Sequence, residues 1–200
     1  FINKWADPEL YRDTEGTDYQ NEAFQLAPMT RGSIAIRGGN DITTVSFSTN
    51  YVDQDGVLIT TGFKRWGTNF TINHKINDKL SLWGSSSYTK SSRFGPRMRN
   101  GRGNQQLRNI ILYRPVDPII LSDGEQEGGL IPGENDSDYA NLFNPIEDIQ
   151  GTTREDISNN VRVNTRLTYK LNSNFTLKTN NSVNTTIGKE ELFYGLNTQQ

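Results

Sequence analysis

The chain has 200 residues, with 21 Lys and Arg, 23 Asp and Glu, and no Cys. The net charge of -2 does not indicate a nucleic-acid partner, and the lack of Cys excludes disulfides and thiolate metal sites. Hydrophobic residues make up 32% and the mean hydropathy is -0.71, both low for a globular core of this size. A transmembrane β-barrel has such a composition, because half of each strand faces water and the loops are long.

The predicted elements, in chain order, are six strands joined by connections of very different length. We predict residues 1–30 to be an extracellular loop leading into a barrel, and residues 31–90 to be four barrel strands in two hairpins. Residues 91–158 are predicted as a long extracellular loop with a short helix. Residues 159–188 are predicted as two more strands, and residues 189–200 as the start of another extracellular loop.

Alternation of polar and apolar residues identifies the strands. In residues 160–171 one parity is apolar, with Val161 and Val163, whereas the other is polar and carries Arg162 and Arg166. Because successive side chains point to opposite faces of a strand, this segment has one apolar and one cationic face. The same rule predicts further strands at residues 33–37, 42–52, 64–75, 80–90 and 175–187.

The predicted connections alternate between short and long. Residues 38–41, 77–79 and 172–174 are rich in Gly, Asn, Asp and Ser, which are residues of tight turns. The connections at residues 53–62 and 91–158 are longer. Outer-membrane barrels show this asymmetry, with short turns on the periplasmic side and long loops outside.

Each predicted face carries residues that suit a barrel wall. Aromatic residues of the apolar parity lie near strand ends, as two interfacial girdles require, although aromatic residues also simply favour strands: Tyr51, Trp66, Tyr88, Tyr169 and Phe175. Trp83 falls on the polar parity instead. We expect four residues of the polar parity to face the lumen or a plug inside it: Arg65, Asn69, Arg162 and Arg166.

Six strands are too few to close a barrel, since the smallest bacterial outer-membrane barrels have about eight. Open strand edges cannot lie in lipid, because their backbone groups would lack partners. The predicted fold class is therefore all-β, an antiparallel transmembrane β-barrel. The chain supplies about six strands of a larger barrel, surrounded by outer-membrane lipid and carrying long extracellular loops.

The predicted long loop begins cationic and then becomes acidic. Within it, the spacing of apolar residues predicts a short helix at residues 105–113, which Pro115 and Pro118 end. Three interpretations stay open: the two charged parts pair and fold over the barrel mouth, the Arg residues contact an anionic ligand or a partner, or the loop is simply solvated. The candidate ligand or partner contacts in this loop are Arg97, Arg99, Arg102, Tyr113 and Tyr139.

The sequence carries no enzyme signature. His74 is the only His and lies in a predicted strand on the apolar parity, which disfavours a metal site or a His-based triad. Residues 53–56 read Asp-Gln-Asp-Gly but lack the spacing and the closing Glu of a calcium loop. Residues 101–103 lack the third Gly of a dinucleotide site. We therefore predict no catalytic residue, no metal and no cofactor, and a protein that is not an enzyme.

Particular runs of residues carry a family resemblance. They include Ser-Ile-Ala-Ile-Arg-Gly-Gly-Asn-Asp at 33–41, Thr-Thr-Val-Ser-Phe-Ser at 43–48 and Tyr-Val-Asp-Gln-Asp-Gly at 51–56. In these runs the chain resembles SusC/RagA-type TonB-linked (TonB-dependent) outer-membrane transporters of Bacteroidetes. The resemblance is specific over residues 17–90, looser through the long loop, and recovers near Asn144-Pro145 and at residues 161–186.

The resemblance implies an early section of a barrel of about 22 strands, with a plug inside. It also implies a location in the cell outer membrane, a SusD-like surface lipoprotein as partner, and contact with TonB through a segment outside this chain. Members of the family import oligosaccharides or peptides. No ligand-binding residue carries over, because the loops of this family vary with substrate.

Two functions from different classes follow. The first is TonB-dependent active import of bulky nutrients, including glycan import, with this chain as part of the barrel wall. The second is an importer-like barrel that serves as a structural scaffold in a cell-surface, secretion or motility complex. Co-purification discriminates between them, since a SusD-like lipoprotein favours import and large secretion or motility components favour a scaffold.

Overall fold

A computed structural model describes residues 12–13, 16–96, 106–113, 115 and 144–195. Within these residues, six strands and three short helices follow one another. The strands are β1 (Met29–Gly39), β2 (Thr43–Asp55), β3 (Gly62–Lys75), β4 (Leu80–Phe94), β5 (Thr152–Lys170) and β6 (Thr176–Tyr194). The helices are α1 (Tyr19–Ala23), α2 (Gln106–Leu112) and α3 (Pro145–Gly151).

All six strands belong to one antiparallel sheet, in the order β1-β2-β3-β4-β5-β6. Each strand therefore pairs with its neighbour in the chain, as in an up-and-down barrel wall. This arrangement confirms the predicted all-β fold of six strands, and α2 confirms the predicted short helix. In the part of the chain that the structure describes, no helix is both long and apolar enough to cross a membrane.

The strands extend beyond their predicted bounds. β1 begins at Met29, within the predicted lead-in, β5 begins at Thr152, within the predicted long loop, and β6 continues to Tyr194, within the predicted C-terminal loop. At the start of β5 both faces are charged, as in Arg154-Glu155-Asp156, so the alternation of polarity stops. The backbone ladder continues regardless, since its hydrogen bonds require no particular side chain.

The register of the five strand pairs keeps all apolar parities on one side of the sheet. One row of directly opposed residues consists of Ile36, Phe47, Phe70, Ser86, Val163 and Val183. The adjacent row, which points to the other side, consists of Ala35, Ser48, Asn69, Ser87, Arg162 and Asn184. We call the side of Phe47 the apolar face and the side of Asn69 the polar face.

Successive hairpins end at staggered positions along the sheet. The first hairpin closes at Thr44, which the register aligns with Asn73, whereas the second closes at Lys75, two residues further. The register also aligns Arg166 of β5 with Thr44 and Asn73. The third hairpin closes at Lys170, four residues beyond Arg166 along β5. A stagger of about one residue, ~3.3 Å, per strand spacing of ~4.8 Å inclines the strands by about 35° from the perpendicular to the line of turns. Barrel strands are tilted by similar angles.

The three short turns share one interaction. In each turn an Asn side-chain oxygen accepts hydrogen bonds from the backbone N–H groups two and three residues later, at 2.8 to 3.0 Å. These residues are Asn40, Asn77 and Asn172. Such Asx turns reverse the chain tightly, which confirms the predicted short turns. All three lie at the same end of the sheet, because consecutive strands run in opposite directions.

The long connections lie at the opposite end, where a small hydrophobic core forms. Ala23 of α1, Leu58 of the β2–β3 connection, Ile110 of α2 and Ile149 of α3 are buried against one another. The Ile59 N–H donates a hydrogen bond to the Ala23 carbonyl at 3.0 Å, which ties the β2–β3 connection to α1. These contacts hold the three helices together at the loop end of the sheet.

Candidate functional site

The apolar face of the sheet is exposed over a broad band. Ile36 and Val183 remain 65% and 64% exposed. In β5 this face carries no charged residue from Tyr169 to Val161, a distance of about 26 Å along the strand at ~3.3 Å per residue. With an inclination of about 35° the band is about 21 Å high, close to the ~25 Å apolar band of outer-membrane barrels. Exposed apolar surface of this extent indicates a contact with another apolar phase or partner.

An aromatic belt borders this band on the side of the long loops. It consists of Tyr51, Trp66 and Tyr88. The rings of Trp66 and Tyr88 meet edge to face, with 5.7 Å between centroids. The Trp66 Nε1–H donates to Thr49 Oγ1 at 3.0 Å, and the Tyr88 hydroxyl donates to Asn159 Oδ1 at 2.8 Å. Such rings join an apolar body to a satisfied polar tip, a combination suited to a boundary between apolar and aqueous surroundings.

Beyond the aromatic belt, towards the loops, the same face becomes charged. The Tyr51 hydroxyl donates to Asp53 Oδ2 at 2.8 Å, and Lys64 Nζ lies 3.2 Å from the same oxygen. The hydrogen bond from Tyr51 lowers the pKa of Asp53, and the hydrogen bond to Asp53 raises the pKa of Lys64. Lys189 pairs with Glu191 on this side of the belt as well. The belt therefore separates an apolar surface from one of paired charges.

On the polar face, hydrogen bonds join side chains of neighbouring strands. Asn164 donates to Ser85 Oγ at 3.2 Å and accepts from the Ser182 hydroxyl at 2.8 Å, which joins β4, β5 and β6. Asn160 Nδ2 donates to Asn184 Oδ1 at 2.9 Å. Such amide and hydroxyl groups can exchange partners with water, peptides or sugars, because they both donate and accept hydrogen bonds.

All four residues that the sequence places towards a lumen lie on this polar face. Asn69 and Arg162 lie in one row, each directly opposite Ser87 of the intervening strand. Arg166 lies nearer the short turns, and Arg65 lies nearer the loops. The register thus brings the four onto one surface, while their contact with a plug or a substrate remains a prediction.

Trp83 is the aromatic residue that falls on the polar parity, and it contacts a cationic side chain on the polar face. It lies directly opposite Arg166, whose guanidinium carbon is 5.4 Å from the centre of the indole ring. On the other side, Arg166 Nε donates to Asn180 Oδ1 at 2.8 Å. Stacking on an indole and a hydrogen bond to an amide position this guanidinium without neutralising it. No sequence pattern signals this pair, because the two residues are far apart in the chain.

The loop candidates fall largely outside the described residues. Arg97, Arg99, Arg102 and Tyr139 lie outside them, so their roles stay predictions. Tyr113, directly after α2, is half-buried and packs edge-on against Tyr19, with 4.9 Å between ring centroids. The two rings line an open depression of about 380 Å³ together with Asp18, Gln20, Ile110 and Ile111. This places Tyr113 at the loop end, apart from the polar-face residues.

No metal-binding cluster is found in the described ranges: no group of three or more His, Asp or Glu lies close enough there to hold an ion. The polar face itself carries amide and hydroxyl groups that form hydrogen bonds, together with cationic side chains. Its cations and amides belong to strands of one continuous sheet, so the sheet fixes their backbone positions relative to one another.

The pairing of Trp83 with Arg166 predicts an energetic coupling that a double-mutant cycle can measure. With Trp83→Leu and Arg166→Gln in the intact protein, we expect a coupling of about 0.5–1 kcal/mol in the free energy of unfolding. A control cycle with Trp66→Leu, on the apolar face, and the same Arg166→Gln should give no coupling. Equal coupling in both cycles, or none in the first, would show that the stacking contributes nothing.

Comparison with known proteins finds similarity in solved structures. The chain superposes on a structure of the RagAB peptide transporter with a TM-score of 0.63 and 20% identity, over 89% of this chain and 20% of the other. It superposes on the RagAB peptide importer in its 'closed-closed' and 'open-open' states with a TM-score of 0.62 and 21% identity in each case. These two alignments cover 90% of this chain and again 20% of the other.

No family model matches the chain, and neither does any curated protein. The chain therefore has the fold of a section, about one fifth in length, of a chain in these transporter structures.

Proposed function

We propose that this chain is part of the wall of a TonB-dependent outer-membrane transporter that imports bulky nutrients, oligosaccharides or peptides. The observation that carries the proposal is the shared register, which gives a staggered six-stranded sheet one continuous apolar face and one continuous polar face. A transport role rather than a catalytic one fits this lining of hydrogen-bonding and cationic groups. Because the chain spans about a fifth of its structural neighbours, the activity of the whole protein is inferred and not carried by these residues alone.

In this proposal the apolar face contacts outer-membrane lipid. A strand register shifted by one residue would turn Arg162 and Arg166 towards lipid, at a cost of roughly 2–4 kcal/mol for each Arg at mid-membrane. The aromatic belt then lies at the outer lipid–water interface, and the paired charges of Asp53 and Lys64 lie outside it. β1 and β6 each have one neighbour in the described sheet, and further strands would pair with their free edges, because unpaired edges are not tolerated in lipid.

The polar face lines the lumen. Arg65, Asn69, Arg162 and Arg166 then contact the plug or border the route of the substrate. The short Asn turns lie on the periplasmic side and the helices α1 to α3 on the cell surface. For the loop candidates Arg97, Arg99, Arg102 and Tyr139, contact with a ligand or partner stays a prediction, and Tyr113 borders the depression beside Tyr19 at the loop end.

The proposed partners of the whole protein are a surface lipoprotein and TonB. The structural neighbours are chains of the RagAB peptide importer, and the family resemblance includes a surface lipoprotein. We propose that a SusD-like lipoprotein binds at the loop end, where the small core of Ala23, Leu58, Ile110 and Ile149 fixes the helices. Energy coupling through TonB would use a segment outside this chain.

If one face lies in lipid and the other in water, an added Arg should destabilise the barrel on the first face and be tolerated on the second. Val163→Arg should place a guanidinium in lipid near the middle of the apolar band and destabilise the barrel by about 2–4 kcal/mol. Asn164→Arg, one residue further and on the polar face, is the matched control and should be tolerated. The measurement is the folded fraction in lipid vesicles, from the heat-modifiable mobility of the intact protein. Equal tolerance of both substitutions would refute a lipid-facing apolar side.

If the protein imports nutrients together with a lipoprotein, that lipoprotein should co-purify with it from the outer membrane. An affinity-tagged intact protein should retain a SusD-like lipoprotein in mild detergent, and should take up labelled oligosaccharide or peptide into cells only while TonB is functional. Retention of secretion or motility components instead, without TonB-dependent uptake, would support a scaffold and contradict TonB-dependent import.

A further inference from the structure

The polar face carries charges of almost one sign. Over the six strands its charged residues are ten cations and two carboxylates. The cations are Arg31, Arg37, Arg65, Lys75, Arg93, Arg154, Arg162, Arg166, Lys170 and Lys178, and the carboxylates are Asp156 and Glu190. The net charge of -2 of the whole chain conceals this separation.

The two carboxylates belong to a compensated cluster at the loop end. Arg154 Nε lies 3.3 Å from Asp156 Oδ2, and Arg154 also pairs with Glu190. Arg93 lies directly opposite Asp156 in the register. Setting this cluster aside leaves eight cations on the polar face. None of the eight forms an ion pair with any residue that the structure describes.

The apolar face is different, which shows that the one-sided charge is not a general property of the sheet. Its charged residues are three cations and four carboxylates: Lys64, Lys90, Lys189, Asp53, Asp55, Glu155 and Glu191. Two of these cations, Lys64 and Lys189, form ion pairs on their own face. Within the described strands, opposite charges are thus balanced on the apolar face and unbalanced on the polar face.

The unmatched cations extend over the whole height of the sheet. On β3 alone they reach from Lys75, beside the short turns, to Arg65, about 33 Å further along the strand at ~3.3 Å per residue. Lys170 and Lys178 border the short turns on β5 and β6, and Arg162 lies further up β5. Hydroxyl and amide side chains occupy most of the positions between them. The result is a track of positive charge with hydrogen-bonding groups, rather than a single patch.

We propose that this polar face attracts and guides anionic cargo, namely chains that carry several carboxylates. This inference rests on the proposed transport function and specifies the chemical class of its substrate. A surface lined by one sign of charge beside a low-dielectric wall focuses its field and raises the local concentration of oppositely charged ligands. Arg and Lys bind carboxylates by charge-assisted hydrogen bonds, and neighbouring Asn and Ser side chains bind the amide or hydroxyl groups of the same chain.

The charge distribution favours a passing ligand over a permanently bound acidic protein surface. A fixed protein contact would bury these cations, and burial of a charge without a close partner is strongly unfavourable. One surface would have to match eight cations at heights that differ by up to ~27 Å, given the 35° inclination. A flexible polyanion can instead contact a few of them at a time and move along the track.

The first test uses the intact transporter with probes that differ only in charge. Two peptides of equal length, one with several Glu and one with Gln at the same positions, are compared for uptake, as are a uronic-acid oligosaccharide and its neutral counterpart. The acidic member of at least one pair should be taken up about tenfold better at low salt, with the advantage falling as salt rises. The pair that shows the preference identifies the source of the carboxylates.

The second test neutralises four cations that have no ion-pair partner among the described residues. Arg37→Gln, Lys75→Gln, Lys170→Gln and Lys178→Gln together should lower the preference for the acidic probe, since four of the eight cations are lost, and leave uptake of the neutral probe unchanged. Lys64→Gln, Lys90→Gln and Lys189→Gln, on the other face, form the control and should keep the preference. The charge-conserving set Lys75→Arg, Lys170→Arg and Lys178→Arg should also keep it, which separates loss of charge from poor folding.

The remaining outcomes overturn the inference in distinguishable ways. Equal uptake of acidic and neutral probes by the native protein would refute the selection of anions while leaving transport in place. A preference that the Gln substitutions on the polar face leave undiminished would refute the role of this face. If that variant leaks antibiotics with unchanged selectivity, the face holds a fixed part of the protein instead. Absence of uptake for every probe would refute the transport function itself.

Discussion

The register between strands is the constraint on which the rest of the molecule depends. Side chains alternate strictly along a strand, so a shift of one residue in any of the five pairs would move every following apolar side chain to the other face. The observed pairing opposes Phe47 to Phe70 and Val163 to Val183, and it keeps Arg162 and Asn184 together on the other side. Two surfaces of opposite character arise from this one property of the backbone.

Both surfaces then acquire their finer structure from residues near the strand ends. On the apolar face, Trp66 and Tyr88 satisfy their polar atoms within the sheet and mark where apolar surface gives way to charge. On the polar face of the described strands, compensated charge is confined to the cluster around Arg154 at the loop end. The Asn turns close the other end in few residues, whereas the described helices α1, α2 and α3 all lie at the loop end. The sheet is therefore asymmetric along its height as well as across its thickness.

Much of this fold could be predicted from the sequence, since it follows from local patterns. The alternation of Val161, Arg162, Val163 and its equivalents identifies the strands, and Asn-rich segments identify the turns. The start of β5 and the end of β6 could not be predicted, because the charged runs at 154–156 and 189–191 interrupt the alternation while the backbone ladder continues. The sequence also gives no reason for Trp83 to lie on the polar parity. Its partner, Arg166, is far away in the chain, and the β4–β5 register places the two residues opposite each other.

The candidate site could be predicted only in part, for a related reason. Arg65, Asn69, Arg162 and Arg166 are recognisable because each lies in a strongly alternating segment. Arg37, Lys75 and Lys170 lie beside turns, where a charged residue is commonplace and attracts no notice in a sequence. Their significance depends on the absence of carboxylates opposite them in the described strands, and that absence becomes visible when the strands are aligned.

The central claim, that the two faces of this sheet lie in different solvents, can be tested most directly with its own tryptophans. The intact protein would be prepared in single-tryptophan forms that retain either Trp66 or Trp83, and its fluorescence measured in bilayers whose acyl chains carry bromine. We expect strong quenching of Trp66, on the apolar face, and little quenching of Trp83, beside Arg166 on the polar face. Quenching of Trp83 as strong as that of Trp66, or an unquenched Trp66, would contradict the claim.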